Sequence, residues 1–251
     1  MRLLVLRPGA IGDTLLTFPV LQALRACYSD PHVTLVGNAA VLPLARAFGV
    51  AEDLCNYEDV QWSELFSTRG VRTPALVDIV RRTDRAICWL RDSDGLVERN
   101  LRALGIEDIV IAPGRPAPGG ALHIVQYLAQ TIALPIDFEA ICRGEESGQA
   151  GRRPAAPLHE RGGEGLESDQ RPCAIHPGSS APSKCWPAPC FAAVIEQVWR
   201  QGRPVLLLAG PADQERVDEV VRFLPAQDRW GRLKVLRNAP LMEVACKLQE
   251  C

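Results

Sequence analysis

The fold is decided by the stretch Met1–Pro19, MRLLVLRPGAIGDTLLTFP. Its apolar run 3–6 predicts a buried strand, and the glycines Gly9 and Gly12 predict a tight turn into an amphipathic helix. Asp13 lies on that turn. Ligands of open parallel sheets bind outside the carboxyl ends of the strands, so this carboxylate is a candidate substrate contact. The alternative is that Asp13 only caps the helix, since aspartate is favoured at helix N-termini.

Composition limits the classes of protein to which the chain can belong. Its 251 residues with 47% hydrophobic content are enough for two modest domains. The net charge of −2, from 28 basic and 30 acidic residues, argues against a nucleic-acid partner. The nine cysteines are scattered and lack the spacing of a zinc or redox pair, which indicates reduced cytoplasmic thiols.

No stretch of the sequence resembles an export signal or a membrane-spanning helix. The apolar run 3–6 is interrupted by Arg7 and Pro8, and no window approaches the ~20 apolar residues that a spanning helix needs. We therefore expect a cytoplasmic protein with at most peripheral contact at the inner face of the membrane.

Short apolar runs alternate with helical patterns along the first half of the chain, as in repeated βαβ units with a parallel sheet. Strands are predicted at 3–6, 32–36, 85–90 and 108–111. Helices are predicted at 14–27, 40–48, 73–80, 96–104 and 121–133, with 62–66 ambiguous. This pattern predicts a doubly wound α/β domain over 1–141.

The composition changes at 142–171, which is rich in Gly, Arg, Glu and Pro and poor in large apolar residues. Such a segment cannot bury enough surface to offset its ordering entropy, so we predict a flexible linker. The α/β pattern restarts over 172–251, with predicted strands at 173–175, 205–208 and 233–236 and helices at 188–201, 214–224 and 241–248.

A second candidate site opens this half of the chain, in the stretch HPGSSAPSKCWP at 176–187. A strand leads into a Gly/Ser/Pro loop, and Pro187 suits the first turn of the following helix. Backbone N–H groups and Lys184 are then placed where an anion would bind. The stretch is not a P-loop, and the alternative is an ordinary strand-to-helix loop with a solvated lysine.

Metal binding is not indicated. Asp92-Ser93-Asp94 has a D-x-D spacing whose two carboxylates could hold a divalent cation, but the segment precedes a predicted helix that Ser93 or Asp94 would cap. The four histidines show no ligand spacing. We expect no metal site.

The two candidate sites together resemble glycosyltransferase family 9, which includes the lipopolysaccharide heptosyltransferases. A third matching stretch runs from Pro204 to Asp213 and includes Glu215 shortly after it. The residues that carry the resemblance are Arg7, Gly9, Gly12, Asp13, Leu16, Pro19, Leu24, Arg25, the stretch 176–179, Lys184, Trp186, Pro187, the stretch 204–213 and Glu215.

The resemblance implies a GT-B architecture, with two Rossmann-like domains facing each other across a cleft. It implies inverting, metal-independent transfer of a heptose-like sugar, with Asp13 as general base. The donor, typically ADP-heptose, would be a co-substrate, and no cofactor is implied. The acceptor would be a glycan or lipid-linked glycan such as lipopolysaccharide core. The substrate-binding residues carried over are Gly9, Gly12, Ser179, Ser180, Lys184 and Glu215.

The chain departs from the family after 241–248, where members usually continue with a further strand and turn of the donor site. We therefore expect an incomplete second domain, and a catalytically impaired, truncated remnant is the alternative to an active transferase. A dehydrogenase is disfavoured because Gly9 and Gly12 do not fit the G-x-G-x-x-G spacing.

Overall fold

A computed structural model of the chain describes residues 1–29, 31–117, 119, 122–143, 171–179, 182–226, 229 and 231–251. The chain divides into two compact units, Met1–Ala155 and Ala156–Cys251. Most of the predicted linker, 144–170, lies outside the described residues.

The first unit contains a five-stranded parallel sheet with the order β3-β2-β1-β4-β5. The order reverses between β1 and β4, so the sheet is doubly wound and a ligand crevice is expected at the carboxyl ends of these two strands. Its strands are β1 Arg2–Leu6, β2 His32–Gly37, β3 Asp53–Asn56, β4 Arg85–Trp89 and β5 Asp108–Ala112.

Seven short α-helices and a 3₁₀ segment accompany these strands in the described part of the first unit. One core cluster packs Leu4 and Leu6 of the sheet against Leu76, Val97 and Leu101 of the helices. Apolar side chains of this kind dominate the buried set and stabilise the sheet. The helices are α1 Ile11–Leu15, α2 Phe18–Cys27, α3 Leu42–Ala47, α4 Pro74–Arg81, α5 Leu96–Ala103, α6 Ile124–Thr131 and α7 Phe138–Arg143, and the 3₁₀ segment is Val60–Phe66.

The predicted helix at 14–27 is wrong, because the structure has two helices, α1 and α2, in this region. Pro19 explains the break, since proline has no N–H and its ring clashes with the carbonyl four residues earlier, at Leu15. The hydroxyl of Thr17 donates to the carbonyl of Thr14 at 2.6 Å within the break. Asp13 therefore lies on a separate, five-residue helix.

Two elements were not predicted. The edge strand β3 has only four residues, two of them polar, and gives no clear alternation. The helix α7 ends at Arg143 and so includes the first two residues of the predicted linker.

The second unit contains a three-stranded parallel sheet with the order β6-β7-β8 in the part that the structure describes. Ile195 and Trp199 of α8 pack with Leu207 of β7 and Val217 of α9 in its core. All three strands were predicted. The elements are β6 Cys173–Ile175, a 3₁₀ turn Pro182–Lys184, α8 Ala188–Arg200, β7 Val205–Ala209, α9 Gln214–Phe223, β8 Leu233–Arg237 and α10 Leu241–Gln249.

Over the described residues, none of the helices has both the length and the apolar character needed to cross a membrane.

The cysteines of the first unit give a test of this packing. Cys88 is fully buried in β4, and burial raises the pKa of its thiol to about 12, whereas Cys27 is exposed. At pH 8 roughly one Cys88 in ten thousand is then a thiolate, the reactive form. We expect iodoacetamide to alkylate Cys27 in the native protein and Cys88 only after unfolding, as measured by peptide mass spectrometry. Rapid native labelling of Cys88 would contradict the fold.

Candidate active site

The loop that carries Asp13 is hydrogen-bonded to Asn38, just after strand β2. The backbone N–H of Asn38 donates to the hydroxyl of Thr14 at 3.0 Å, and the Asn38 side-chain amide donates to the carbonyl of Gly9 at 3.3 Å. Thr14 is fully buried, and a Cβ at Gly37 would lie 2.7 Å from its methyl group. These contacts fix the turn between β1 and α1.

The Asp13 carboxylate is held by one backbone N–H and two arginines. Its Oδ2 accepts the N–H of Ala10 at 2.9 Å, and its Oδ1 lies 3.1 Å from Nη2 of both Arg7 and Arg115. Only 12% of the side chain is exposed. The bond to Ala10 is a helix-capping contact, so the capping interpretation holds for Oδ2, which also lies 3.2 Å from Nη2 of Arg115, while Oδ1 contacts both arginines.

This environment keeps Asp13 ionised. Burial raises its pKa, but the hydrogen bonds from Ala10 and Arg115 and the charges of Arg7 and Arg115 outweigh burial, so the pKa lies below its ordinary value. Tyr57, just after β3, lies close enough to Asp13 for the charge of that carboxylate to affect the pKa of its phenol. Desolvation, then Glu58, then the charge of Asp13 raise the pKa of the Tyr57 phenol.

Arg7 reaches Asp13 from inside the protein. Its Nη2 also donates to the carbonyl of Gly114 at 2.8 Å, and its Nη1 lies 3.5 Å from the carbonyl of Trp89. A Cβ at Gly114 would lie 2.0 Å from Nη1, so only glycine leaves room for the guanidinium. Burial lowers the pKa of Arg7, while the charge of Asp13 opposes that effect.

The two predicted glycines have different surroundings. Gly9 has a φ of +140°, and a Cβ there would lie 2.6 Å from Oδ2 of Asp13, so glycine is required for the carboxylate itself to approach. Gly12 is exposed, and a Cβ there would meet no atom within 4 Å. Gly12 is therefore not required by close packing, in contrast to Gly9.

The D-x-D stretch has a structural role. Asp92 accepts the N–H groups of Val97 and Glu98, both at 3.0 Å, and so caps α5. The prediction that Ser93 or Asp94 is the main cap is wrong, because Asp94 contributes only a 3.5 Å contact with the N–H of Leu96. No cluster of three or more potential metal ligands exists among the described residues.

In the second unit an aspartate joins the loops that follow β6 and β7. Oδ2 of Asp213 lies 2.9 Å from Nε2 of His176 and accepts the N–H of Gly210 at 3.2 Å. A Cβ at Gly178 would lie 2.0 Å from Oδ1 of Asp213. The carboxylate therefore occupies the space beside Gly178 and fixes the start of the predicted anion-binding loop.

The predicted substrate contacts of this unit lie at its surface. Ser179, Lys184 and Glu215 are exposed, and Ser180 lies outside the described residues. Lys184 ends the 3₁₀ turn before α8, and Glu215 is in the first turn of α9. Pro187 is the N-cap residue of α8, one position before the helix begins.

Sequence reasoning missed several residues that the structure brings into these sites. Arg115 is 102 residues from Asp13 in the chain, and no local signal connects them. Gln214 was also missed. Its amide nitrogen donates to the carbonyl of Gly210 at 2.7 Å and to the side-chain oxygen of Asn238 at 3.0 Å, and thereby links the ends of β7 and β8.

The chain is similar in fold to solved glycosyltransferases. It matches a glycosyl transferase family 9 protein from Veillonella parvula DSM 2008 with a TM-score of 0.67 and 18% identity, over 100% of this chain and 74% of that one. It matches ADP-heptose lipopolysaccharide heptosyltransferase II of E. coli with a TM-score of 0.68 and 20% identity, over 100% and 77%. A third match is E. coli heptosyltransferase WaaC with ADP-2-deoxy-2-fluoro heptose. Its TM-score is 0.59 and its identity 17%, over 99% of this chain and 79% of that one.

These matches confirm the predicted GT-B-like α/β fold with two parallel sheets, the second smaller in its described part. No curated protein matches the chain. The model of glycosyltransferase family 9 (heptosyltransferase) matches residues 128–250, a range that contains Ser179, Lys184 and Glu215 and excludes Asp13. The resemblance to glycosyltransferase family 9 that the sequence predicts is therefore confirmed, by the match of the family model to residues 128–250 and by the folds of these solved structures.

Proposed function

We propose that the chain is an inverting glycosyltransferase that moves a heptose-like sugar from a nucleoside diphosphate donor, ADP-heptose, to a glycan acceptor of the lipopolysaccharide-core type. The observation that carries this proposal is the ionised Asp13 carboxylate at the carboxyl end of β1, where the strand order of the sheet reverses. The family match of residues 128–250 supports the donor class. One of the solved E. coli structures is an ADP-heptose heptosyltransferase, and the other is a heptosyltransferase with ADP-2-deoxy-2-fluoro heptose.

Asp13 would act as the general base. Its carboxylate accepts the proton of an acceptor hydroxyl while the hydroxyl oxygen forms a bond to the anomeric carbon of the sugar. The bond from that carbon to the donor phosphate breaks at the same time, and the nucleoside diphosphate leaves with the electron pair. Attack opposite to the leaving group inverts the anomeric centre.

The leaving diphosphate would bind the loop between β6 and α8. Lys184 supplies a positive charge, Ser179 supplies hydrogen-bond donors, and the thirteen-residue helix α8 presents its positive end to the same loop. Glu215 would accept hydrogen bonds from donor hydroxyls. These groups stabilise the developing negative charge without a metal ion.

The proposed partners are this donor and a glycan or lipid-linked glycan acceptor, and we propose neither a nucleic-acid partner nor a bound cofactor. An acceptor attached to lipid would be met in the cytoplasm at the inner face of the membrane, through peripheral contact. The near balance of 28 basic and 30 acidic residues favours small-molecule substrates over a polyanion.

Asp13→Asn tests the general base. Asparagine keeps the size of the side chain but cannot accept the proton, so we expect kcat to fall by roughly 10² to 10⁴. The measurement is release of ADP from ADP-heptose in the presence of a lipopolysaccharide-core acceptor. Asp94→Asn is the matched control, because Asp94 is exposed and makes only one long capping contact, and its kcat should equal that of the wild type.

The control variant also tests the metal alternative. A fall in kcat for Asp94→Asn, together with activation by a divalent cation, would contradict the metal-independent mechanism. An unchanged kcat for Asp13→Asn would refute the assignment of Asp13. A chain with no turnover and no nucleotide binding would instead be the impaired remnant considered in the sequence analysis.

Lys184→Ala tests the donor site. Lys184 makes no ion pair with any residue in the described part of the chain, so its removal should leave the fold stable. A charge-assisted hydrogen bond contributes about 1.5 to 3 kcal/mol, which predicts an ADP dissociation constant roughly 10 to 150 times larger. The measurement is the thermal shift with added ADP.

The matched control is Lys234→Ala, which removes an exposed lysine from β8 in the same unit. For the wild type, ADP at 100 times its dissociation constant should stabilise the protein by about 2.7 kcal/mol. Equal shifts for wild type and Lys184→Ala would contradict the proposed diphosphate contact.

A further inference from the structure

We propose that Arg7 is the positioning residue of the reaction: it holds the Asp13 carboxylate in place from the buried side of the site. This inference rests on the proposed function, because it concerns the general base named there. Arg7 does not touch the reacting atoms and acts only through Asp13.

The contacts of Arg7 connect the end of β1 to the ends of three other strands of the sheet. Arg7 follows β1 directly and its N–H donates to the carbonyl of Val36 in β2 at 2.9 Å. Its guanidinium contacts the carbonyl of Trp89, the last residue of β4, and that of Gly114, just after β5. These contacts attach Arg7 to the carboxyl edge of the sheet.

The space around the guanidinium is equally restricted. The Arg7 side chain is 4% exposed, and the missing Cβ of Gly114 leaves the volume that Nη1 occupies. Nη2 therefore has one orientation, in which it lies 2.8 Å from the Gly114 carbonyl and 3.1 Å from Oδ1 of Asp13. The Ala10 N–H fixes the other carboxylate oxygen, so both oxygens of Asp13 are held by groups that do not move independently.

Arg115 differs from Arg7 in this respect. It contacts the same carboxylate, but its side chain is 76% exposed and its bonds to Asp13 are made from the solvent side. An exposed arginine keeps most of its rotamer freedom, so its orientation of Asp13 is weak. The fixed geometry of the base therefore comes from Arg7.

The charged and titratable groups that face Asp13 are Arg7, Arg115 and Tyr57. Burial raises the pKa of Asp13, and the charge of Arg7 is one of the contributions that lower it. Replacing Arg7 with a neutral residue removes that contribution. The pKa of Asp13 in the variant must therefore be higher than in the wild type. The acidic limb of the pH profile of kcat/KM, where the base becomes protonated, must move to higher pH.

Arg7→Met and Arg7→Lys test the proposal. A misplacement of the base by about 1 Å costs on the order of 10²-fold in rate, so Arg7→Met should lower kcat by roughly this factor at the pH plateau while KM for the donor stays constant. The acidic limb should move upward in Arg7→Met. Lysine restores the charge but not the planar fork, so Arg7→Lys should recover the limb position more completely than kcat.

The matched control is Arg85→Met. Arg85 is a partly buried arginine of β4 that bonds the hydroxyl of Tyr28 and pairs with Asp108, at the opposite end of the same sheet. We expect Arg85→Met to lower the melting temperature without moving the pH profile. Protection of Cys88 from alkylation shows that each variant is folded.

Gly114→Ala is a second test that retains the charge. Its methyl group would displace the guanidinium, so kcat should fall although the arginine is present. If Asp13→Asn abolishes turnover while folded Arg7→Met and Gly114→Ala both keep the wild-type kcat, the positioning role is overturned and the function stands. If Asp13→Asn keeps full activity, the proposed function itself fails.

Discussion

The carboxyl edge of the first sheet is organised around the ion pair between the buried guanidinium of Arg7 and the carboxylate of Asp13. A buried charge without a partner is strongly destabilising, so the chain must supply compensating groups around it. It supplies carbonyl oxygens at the ends of β4 and β5, a glycine at 114 that leaves room for the guanidinium, and a glycine at 9 that lets the carboxylate approach the backbone. The turn after β1, the ends of β4 and β5 and the candidate base Asp13 are therefore linked through the contacts of Arg7.

In the second unit a carboxylate also packs directly against a glycine, but the residues differ. Asp213 lies against Gly178 as Asp13 lies against Gly9, and in both cases a side chain other than hydrogen could not be accommodated. The partner of Asp213 is His176 rather than an arginine.

Local patterns predicted most of the fold but only part of the site. Apolar runs and helical periodicity gave all strands except β3, whose four residues are partly polar and lie at a sheet edge. Gly9, Gly12 and Asp13 could be found because they follow a strand directly. Arg115 and Gly114 could not, since their relation to Asp13 arises only when β1 and β5 are brought to the same edge of the sheet. The break before Pro19 follows from proline chemistry, which the apolar periodicity of 14–27 does not reflect.

The lowered pKa of Asp13 is compatible with its proposed role as general base in glycosyl transfer. Proton affinity falls as the pKa falls, but the base is then fully ionised at neutral pH and needs no prior deprotonation. An acceptor hydroxyl is a poor proton donor until its oxygen begins to bond to the anomeric carbon, and from that point its proton becomes strongly acidic. A weak but fixed carboxylate can accept it at that stage. For Asp13 in its proposed role as general base, position would therefore matter more than basicity, and the sheet edge is the part of the molecule that holds its position.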